Sequence, residues 1–340
     1  MTPIRIAVVT PYYQTKPGLL VRALRSVFAQ NLPEHVSCDC FVVDDASPHA
    51  AELEIMAFGP PERSRIHLLR QPNAGPAAAR NTALDQIDPD RYRYVAFLDS
   101  DDEWQKSHIS DALKALETGH DFYFCDHTRF DTWISYFDEG RQTADWRKAK
   151  TADIHVLDED GPVLSIAPQT AFEAFLTEYL SQTSTVVYRL DAAPDHRFVA
   201  DQRKAGEDFL FWLGLLQRGL RCAVNYRPNV HCGDGVNLYA SAYDFASPKV
   251  VERVGYILLC NLRIKDDFWS VAENKAFIDT QITRYTRAYG YLFVRSLLMG
   301  QRPNLSLFAR ILRKAPLRAL SAPVTFLSVW PTRTEEAALW

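Results

Sequence analysis

Short apolar runs alternate with segments of helical periodicity through the first 125 residues. Runs bounded by polar residues predict buried parallel strands, and apolar residues recurring every three or four positions predict helices packed on them. The strands are predicted at 4–10, 41–43, 66–69 and 94–98, and the helices at 19–30, 51–58 and 75–87. This order predicts an α/β fold with a doubly wound, mostly parallel, Rossmann-like sheet and right-handed crossovers.

The pattern loosens in the rest of the chain. Further helices are predicted at 107–117, 171–180 and 207–218, and further strands at 122–125, 185–188 and 221–225. Residues 131–161 are rich in charged and aromatic side chains and lack periodicity, which predicts a long loop. From about residue 245 onward only helical periodicity remains, which predicts a C-terminal helical region.

Composition narrows the class of protein. Hydrophobic residues make up 47% and charged residues 24% of the 340, as in a globular protein, and the net charge of −4 favours no nucleic-acid partner. The six cysteines lack C-x-x-C spacing, which argues against a zinc ribbon and indicates a reducing compartment. Neither a signal peptide nor an apolar run of about 18 residues is evident. We therefore expect a cytoplasmic protein and leave open a peripheral contact with the inner face of the cytoplasmic membrane.

Three carboxylates follow the strand predicted at 94–98. Asp99, Asp101 and Asp102 fall in one short turn at the edge of the sheet where ligands of open α/β sheets bind. Carboxylates so crowded repel one another unless a cation intervenes, and hard oxygen ligands suit Mg²⁺ or Mn²⁺. The alternative is an acidic turn in which one aspartate caps the next helix.

Two other strand ends reach the same edge. Pro11 and Tyr13 follow the first strand and Asp45 follows the second, without a G-x-G-x-x-G or P-loop pattern. A tyrosine ring can stack on a nucleobase, and a carboxylate can accept a hydrogen bond from a ring N–H. Singly, each residue is equally consistent with a structural role, the tyrosine in a loop and the aspartate as a cap.

A third group opens the helix predicted at 75–87. Gly75 allows a tight turn and a close approach of backbone. Arg80 carries a permanent charge that can meet a phosphate or an acidic side chain, although an isolated arginine on a helix is usually solvated.

These motifs together resemble family 2 glycosyltransferases of the GT-A fold. The resemblance rests on their order and spacing and covers about residues 4–232. The segments that carry it are Pro11-Tyr12-Tyr13, Val43-Asp44-Asp45-Ala46-Ser47, Asn73-x-Gly75 through Ala79-Arg80-Asn81, and Phe97-Leu98-Asp99-Ser100-Asp101-Asp102. It implies a GT-A catalytic domain at 1–240, with a nucleotide-sugar half at about 1–125 and an acceptor half at about 126–240, followed by a helical region at 241–340.

The resemblance implies a divalent cation, Mn²⁺ or Mg²⁺, on the diphosphate of a nucleotide-sugar donor. Asp101 and Asp102 match the metal and ribose positions, and Asp99 matches the first residue of the D-x-D pattern. Their division of labour is left open. Tyr13 and Asp45 match positions that hold uracil, which implies a UDP-sugar. Gln14 departs from the more usual asparagine in that loop.

The resemblance also implies donor contacts for Pro11, Gly75, Arg80 and Asp99, and a further metal ligand after a later strand. His231 matches that ligand, and imidazole is more natural for Mn²⁺ than for Mg²⁺.

An acidic pair opens the helix predicted at 207–218. In the family such a pair supplies the general base of inverting transfer, and Asp208 matches it, with Glu207 as the alternative base or an acceptor ligand. At a helix N-terminus the macrodipole keeps a carboxylate ionised, and its value as a base comes from its position. The structural alternative is that both residues only complement the helix dipole.

The acceptor side is less specified. Residues 131–160 and 182–184 are expected to border it, and Trp133, Tyr136 and Trp146 are candidates either to stack on sugar rings or to anchor the loop. Residues 305–314 form a basic amphipathic helix that suits an anionic membrane surface, packing on the catalytic domain, or a homodimer.

The sequence thus predicts a metal-dependent, inverting hexosyltransferase. It would move a hexose, with glucose as one expectation, from a UDP-sugar to a saccharide hydroxyl. The acceptor could be lipid-linked, and contact with a membrane would suit such an acceptor. The pattern resembles bacterial enzymes of exopolysaccharide or lipopolysaccharide assembly. The alternatives are a nucleotidyltransferase and a non-catalytic protein that binds nucleotide-sugars.

Overall fold

The computed structural model describes residues 3–129, 132, 134–138, 146, 152–158, 163–233, 249–268 and 274–329. The chain divides into two compact units. The first comprises 1–200 and 211–236, and the second comprises 201–210 and 237–340.

A mixed sheet forms the centre of the first unit. Its strands are β1 (Ile4–Tyr12), β2 (Val36–Asp44), β3 (Ile66–Arg70), β4 (Tyr94–Phe97), β5 (Glu103–Trp104), β6 (Phe122–Arg129), β7 (Ile154–Asp158), β8 (Val163–Ile166), β9 (Val187–Arg189) and β10 (Cys222–Cys232). The order is β3-β2-β1-β4-β9-β6-β10-β8-β7, and β5 pairs with β10. The first four positions are parallel, and β9 runs antiparallel between β4 and β6. The predicted α/β fold with a doubly wound sheet is confirmed.

Helices connect the strands and make up the C-terminal region. They are α1 (Leu19–Phe28), α2 (Ala51–Ile55), α3 (Pro60–Arg63), α4 (Pro76–Leu84), α5 (His108–Leu116), α6 (Pro168–Thr177), α7 (Glu207–Gln217), α8 (Lys249–Asp267), α9 (Lys275–Leu298), α10 (Leu305–Lys314), α11 (Pro316–Leu320) and α12 (Ala322–Val329). Of these, α8 to α12 belong to the second unit, and α7 begins in it and continues in the first. The predicted C-terminal helical region is confirmed.

One local prediction was wrong and one short helix was missed. Pro60 and Pro61 open the short helix α3, which the sequence pattern did not predict, because proline is tolerated in a first turn. Strand β7 lies inside the stretch predicted as loop at 131–161. β7 lies at the edge of the sheet, where it pairs with β8. Its apolar residue Val156 is 58% exposed, so apolar positions of this strand do not mark a buried face and the alternating pattern that predicts a strand is absent.

Strand β4, which leads into the acidic turn, lies in an aromatic core. The ring of Phe97 lies 5.4 Å from that of Phe198, 5.7 Å from those of Phe211 and Trp212, and 6.0 Å from that of Tyr188, measured between centroids. Phe97 is fully buried. The strand that carries the acidic residues is therefore held by packing as well as by its neighbours in the sheet.

In the second unit, α10 packs through its apolar face. Leu307 and Ile311 are fully buried, and Phe308 stacks on Phe293 of α9 with the ring centroids 4.6 Å apart. At Gly255 of α8, a side chain would come within 2.7 Å of Leu307, so glycine permits the close approach of α8 and α10. Among the helices of the described ranges, none is long and apolar enough to span a membrane.

All six cysteines are unpaired and buried. Cys38 and Cys40 pack inside the sheet, as expected for residues of a buried strand. Burial raises the pKa of the Cys38 thiol to about 12 and raises those of Cys40, Cys125, Cys222, Cys232 and Cys260.

Candidate active site

The C-terminal ends of β1, β2 and β4 meet at one edge of the sheet. β1 pairs in parallel with β2 on one side and with β4 on the other, so the direction of strand order reverses at β1. Ligands of open α/β sheets bind at such a switch point. Tyr13, Asp45 and Asp99, each one or two residues beyond its strand, therefore share this edge.

Hydrogen bonds join the loops after these three strands. The backbone N–H of Gln14 donates to Ser47 Oγ at 2.8 Å, and the Ser47 hydroxyl donates back to the Gln14 carbonyl at 3.0 Å. Gln14 Nε2 donates to Ser100 Oγ in the acidic turn at 3.1 Å. The glutamine at this position thus links the first loop to both others.

Tyr13 presents its side chain at this edge. The preceding Tyr12 is 1% exposed, whereas Tyr13, the first residue beyond β1, is 40% exposed. Pro11 lies in the last two residues of β1 and is half-buried. The tyrosine ring is therefore available as a stacking face.

Asp45 joins the end of β2 to the loop before α4. Its Oδ1 accepts hydrogen bonds from Gln71 Nε2 at 2.7 Å and the Ala74 N–H at 2.8 Å, and its Oδ2 accepts from the Gly75 N–H at 2.9 Å. Gly75 has φ +90°, a conformation that glycine adopts without strain. An ionised carboxylate offers about four acceptor positions, so this one has capacity for a further donor.

Arg80 meets an acidic side chain rather than solvent. Its Nη2 donates to Asp99 Oδ1 at 2.7 Å, and its guanidinium lies 5.3 Å from the centre of the Phe198 ring. Arg80 is 3% exposed. The sequence predicts that Arg80 meets a phosphate or an acidic side chain. The structure shows the acidic side chain, Asp99, which the arginine holds in position.

The Asp102 carboxylate lies at the centre of a buried network. Its Oδ2 accepts hydrogen bonds from the Ser184 hydroxyl at 2.5 Å and from Gln182 Nε2 at 2.8 Å, and its Oδ1 accepts from the Gly233 N–H at 2.9 Å. Asp102 is 3% exposed, and burial, followed by the charges of Asp101 and Asp99, raises its pKa.

The segment that follows β10 packs directly on the acidic turn. At Gly233 a side chain would come within 1.8 Å of the Asp101 carbonyl oxygen, so only glycine fits. Arg22 Nη2 donates to the same carbonyl at 2.6 Å. This contact brings His231, two residues earlier, into the neighbourhood of the turn, opposite Glu103 in the β5–β10 pairing.

A cation at this turn would have to be shared with a bound ligand. Over the described ranges, no group of three or more histidine, cysteine, aspartate or glutamate side chains is arranged to hold a metal ion. Mg²⁺-type ions are commonly bound by one or two carboxylates plus substrate phosphates. His231 Nδ1 lies 2.7 Å from Thr128 Oγ1, so coordination by this ring would be through Nε2.

The acidic pair opens α7 as predicted. Glu207 and Asp208 are 8% and 5% exposed and stand in the first turn, where the helix dipole favours negative charge. The preceding Gly206 has φ +83°, and a side chain there would come within 2.7 Å of Cys260 Sγ. Backbone conformation and packing both require glycine at this point.

Two of the three acceptor-side aromatics are anchored. Trp146 is 6% exposed, and its backbone N–H donates to the Tyr226 hydroxyl at 3.2 Å. Tyr136 stacks on His127 with the rings 4.6 Å apart. Trp133 lies outside the described residues.

Sequence patterns did not identify the residues that hold the site residues in place. Gln182 and Ser184, expected to border the acceptor, donate hydrogen bonds to Asp102, and Gly233 and Gln71 were not singled out. One available signal was the position of Ser47, two residues after Asp45.

Comparison with known proteins identifies a family. The family model described as "Glycosyl transferase family 2" matches residues 7–167. The chain is 34% identical over 251 residues to the succinoglycan biosynthesis protein ExoW of Rhizobium meliloti, which covers 73% of this chain and 75% of that protein.

Solved structures share the fold. S. aureus TarS 1–349 in complex with UDP-GlcNAc superposes with a TM-score of 0.56 at 18% identity, covering 96% of this chain and 89% of that one. The mannosyltransferase PcManGT of Pyrobaculum calidifontis, in complex with GDP-Man and Mn²⁺, has a TM-score of 0.53 at 15% identity and covers 96% and 88%. At these identities the likeness establishes the GT-A-like fold.

Proposed function

The chain belongs to glycosyl transferase family 2, and from this we propose that it transfers a hexose from a UDP-sugar to a saccharide hydroxyl in bacterial polysaccharide biosynthesis. It is a glycosyltransferase, which decides against the nucleotidyltransferase and the non-catalytic binding protein. The proposal includes inversion at the anomeric carbon, a divalent cation, and Asp208 as general base.

The observation that carries the donor assignment is the linked set of loops at the switch point. Tyr13 offers a ring to the base, and Asp45 retains acceptor capacity for the N–H of a uracil ring. TarS is described in complexes with UDP and UDP-GlcNAc, and PcManGT in a complex with GDP-Man. We propose uridine on the strength of Asp45, and UDP-glucose as the first donor to test.

We propose Asp101 and His231 as the side chains that would hold Mn²⁺ or Mg²⁺. Asp102 is 3% exposed and the Asp99 carboxylate is bound to Arg80, whereas Asp101 is half-buried, and this difference in exposure favours Asp101 as the carboxylate that a cation can reach. When bound, the ion would neutralise charge on the departing diphosphate. Asp99 and Asp102 would then be positioning residues that hold the turn.

Glycosyl transfer to a hydroxyl requires one group that accepts the hydroxyl proton. The Asp208 carboxylate would take the proton of the acceptor hydroxyl as that oxygen forms a bond to C1 of the sugar. The bond from C1 to the diphosphate oxygen breaks on the opposite face, and its electron pair leaves with UDP, so configuration inverts. Glu207 is the alternative base, since burial does not distinguish the two residues.

The acceptor is proposed only by class. ExoW is described as a protein of succinoglycan biosynthesis, which supports a saccharide acceptor in surface or exopolysaccharide assembly. A lipid-linked acceptor, a homodimer and a cytoplasmic location remain predictions from the sequence.

The experiment measures UDP release from a panel of UDP-hexoses and GDP-mannose, with Mn²⁺, Mg²⁺ or EDTA. Asp208→Asn should lower kcat by about 10²- to 10⁴-fold, as removal of a general base does, with UDP affinity unchanged. Glu207→Gln is the matched control and should lower kcat less than tenfold.

Each part of the proposal has its own contrary result. Turnover of GDP-mannose but not of any UDP-hexose would contradict the uridine assignment. Full activity in EDTA would contradict the cation. A larger loss for Glu207→Gln than for Asp208→Asn would reverse the two roles, and a product of retained anomeric configuration would contradict inversion.

A further inference from the structure

Large apolar side chains are concentrated on the surface of the last described helices. More than half of the exposed large apolar residues in the described chain lie between 297 and 327. Four of them lie on α11 and α12: Leu317 is 84% exposed, Leu320 65%, Val324 70% and Leu327 71%. We call these four residues the apolar stripe.

The apolar stripe is one continuous face. Helical hydrogen bonds run through the junction of α11 and α12, from the Ser321 N–H to the Leu317 carbonyl and from the Thr325 N–H to the Ser321 carbonyl. At 100° per residue the four residues of the stripe, spaced three, four and three apart, fall within an arc of about 80°. The helical segment therefore presents a ridge of apolar side chains outward.

The opposite face of the same segment already has its partner. Ala322 and Phe326 are buried, and Phe326 stacks on Tyr291 of α9 with the ring centroids 5.6 Å apart. Gly290 of α9 lies against Ala322, where an added side chain would come within 3.1 Å of its Cα. The apolar stripe is therefore additional to what packing within the second unit requires, and exposed apolar patches of this kind mark interaction surfaces.

The stretch of chain that carries the stripe is basic, and the acidic residues near its cations, Asp266 with Lys314 and Asp279 near Arg318, lie outside that stretch in the sequence. Residues 280–329 contain eight arginines and lysines and no aspartate or glutamate, in a chain of net charge −4. Five of these basic residues are exposed: Arg284, Arg287, Arg302, Arg313 and Lys314. The region thus combines exposed apolar side chains with positive charge.

We propose that the apolar stripe and its surrounding arginines bind the surface of an anionic lipid bilayer. Leucine and valine would enter the boundary between headgroups and acyl chains, and the guanidinium groups would meet anionic headgroups. A second copy is a poorer occupant, because a symmetric contact would bring the same positive region against itself. The surface differs from the one predicted at 305–314, since Leu307 and Ile311 on the apolar face of α10 are fully buried.

The test is co-sedimentation of the full chain with vesicles. Phosphatidylcholine vesicles with about 30% phosphatidylglycerol should bind at least tenfold more protein than pure phosphatidylcholine, and binding should fall as salt is raised. Leu320→Glu combined with Leu327→Glu should lower that binding at least tenfold, since it places charge in the apolar stripe.

The matched control places the same two charges elsewhere. Leu53 and Met56 are 59% and 69% exposed in the first unit, so Leu53→Glu combined with Met56→Glu changes net charge equally and should leave vesicle binding at the wild-type level. Thermal unfolding and UDP release without vesicles should be unchanged in both double variants, which shows that they are folded.

Four results would overturn the proposal. The first is a wild-type chain that does not prefer anionic vesicles, and the second is a control that loses as much binding as the stripe variant. The third is a dimer in light scattering that becomes monomeric in the stripe variant, which would assign the stripe to a second copy. The fourth is vesicle binding that appears only after residues 331–340 are removed, which would make these residues the occupant of the apolar stripe in the full chain.

Discussion

Replacing Asp102 by asparagine distinguishes a carboxylate that holds the acidic turn from one that binds a cation. The bonds around Asp102 have fixed directions. The Ser184 N–H donates to Gln182 Oε1 at 2.5 Å, which leaves the amide Nε2 of Gln182 facing Asp102 Oδ2. On the other side, the Gly233 N–H faces Oδ1.

Every orientation of an asparagine at 102 places an N–H group against another N–H group. If the amide oxygen faces Gly233, the amide nitrogen faces Gln182 Nε2. In the reverse orientation, the amide nitrogen faces the Gly233 N–H. The variant therefore loses a charge-assisted hydrogen bond, worth roughly 1.5–3 kcal/mol, and leaves a buried donor without an acceptor, at roughly 1–3 kcal/mol. Part of this cost is offset because a neutral asparagine avoids the burial and the charge repulsion that raise the pKa of Asp102, so we expect the free energy of unfolding to fall by about 1 to 3 kcal/mol.

The assay is urea unfolding followed by circular dichroism, with Asp101→Asn as the matched control. Asp101 is only half-buried, and we expect its replacement to cost less than about 1 kcal/mol. UDP binding at low temperature, with and without Mn²⁺, completes the comparison. Asp101→Asn should abolish the effect of Mn²⁺ on UDP affinity, and folded Asp102→Asn should retain it.

One pair of results would refute this reasoning. If Asp102→Asn unfolds within about 0.5 kcal/mol of the wild type and also loses the effect of Mn²⁺, the carboxylate is a ligand and its hydrogen bonds are incidental.

Three further outcomes are expected. Gly206→Ala should lower the free energy of unfolding by about 2 to 4 kcal/mol, because φ is +83° and a methyl group would lie 2.7 Å from Cys260 Sγ; a thermal unfolding midpoint equal to that of the wild type would contradict this. Tyr13→Ala should weaken UDP binding about fivefold to tenfold in calorimetry through loss of a stacking face, whereas Tyr13→Phe keeps the ring and the affinity; equal losses in both would point to the hydroxyl. Burial raises the pKa of Asp126 to about 6, so the wild type should lose up to about 3 kcal/mol of stability relative to Asp126→Asn as pH rises from 4 to 7, because the ionised form is disfavoured in the fold; a difference in unfolding free energy that is constant over this range would contradict the assignment.

The candidate site was predictable where its residues follow a buried strand. Tyr13, Asp45 and Asp99 lie one to three residues after the predicted strands, and parallel pairing of β1 with β2 and β4 brings the ends of those strands together. Local pattern and topology are enough for this inference, since neither depends on where distant segments pack.

The partners of these residues were not predictable in the same way. Ser184 and Gly233 contact Asp102 across 82 and 131 residues of chain, and no local pattern encodes such a pairing. Arg80 illustrates the same limit, because helical periodicity cannot say whether an arginine faces solvent, a phosphate or Asp99. The antiparallel strand β9 likewise depends on tertiary pairing with β4 and β6.

Chemical labelling of the buried thiols can report local unfolding of the structure around them. A thiolate is the species that reacts with an alkylating reagent, and burial both raises the thiol pKa and excludes the reagent. Labelling therefore proceeds only when the surrounding structure opens. Cys38 lies in the first unit and Cys260 in the second, so their labelling rates, read by mass spectrometry in one sample, compare how often each unit opens.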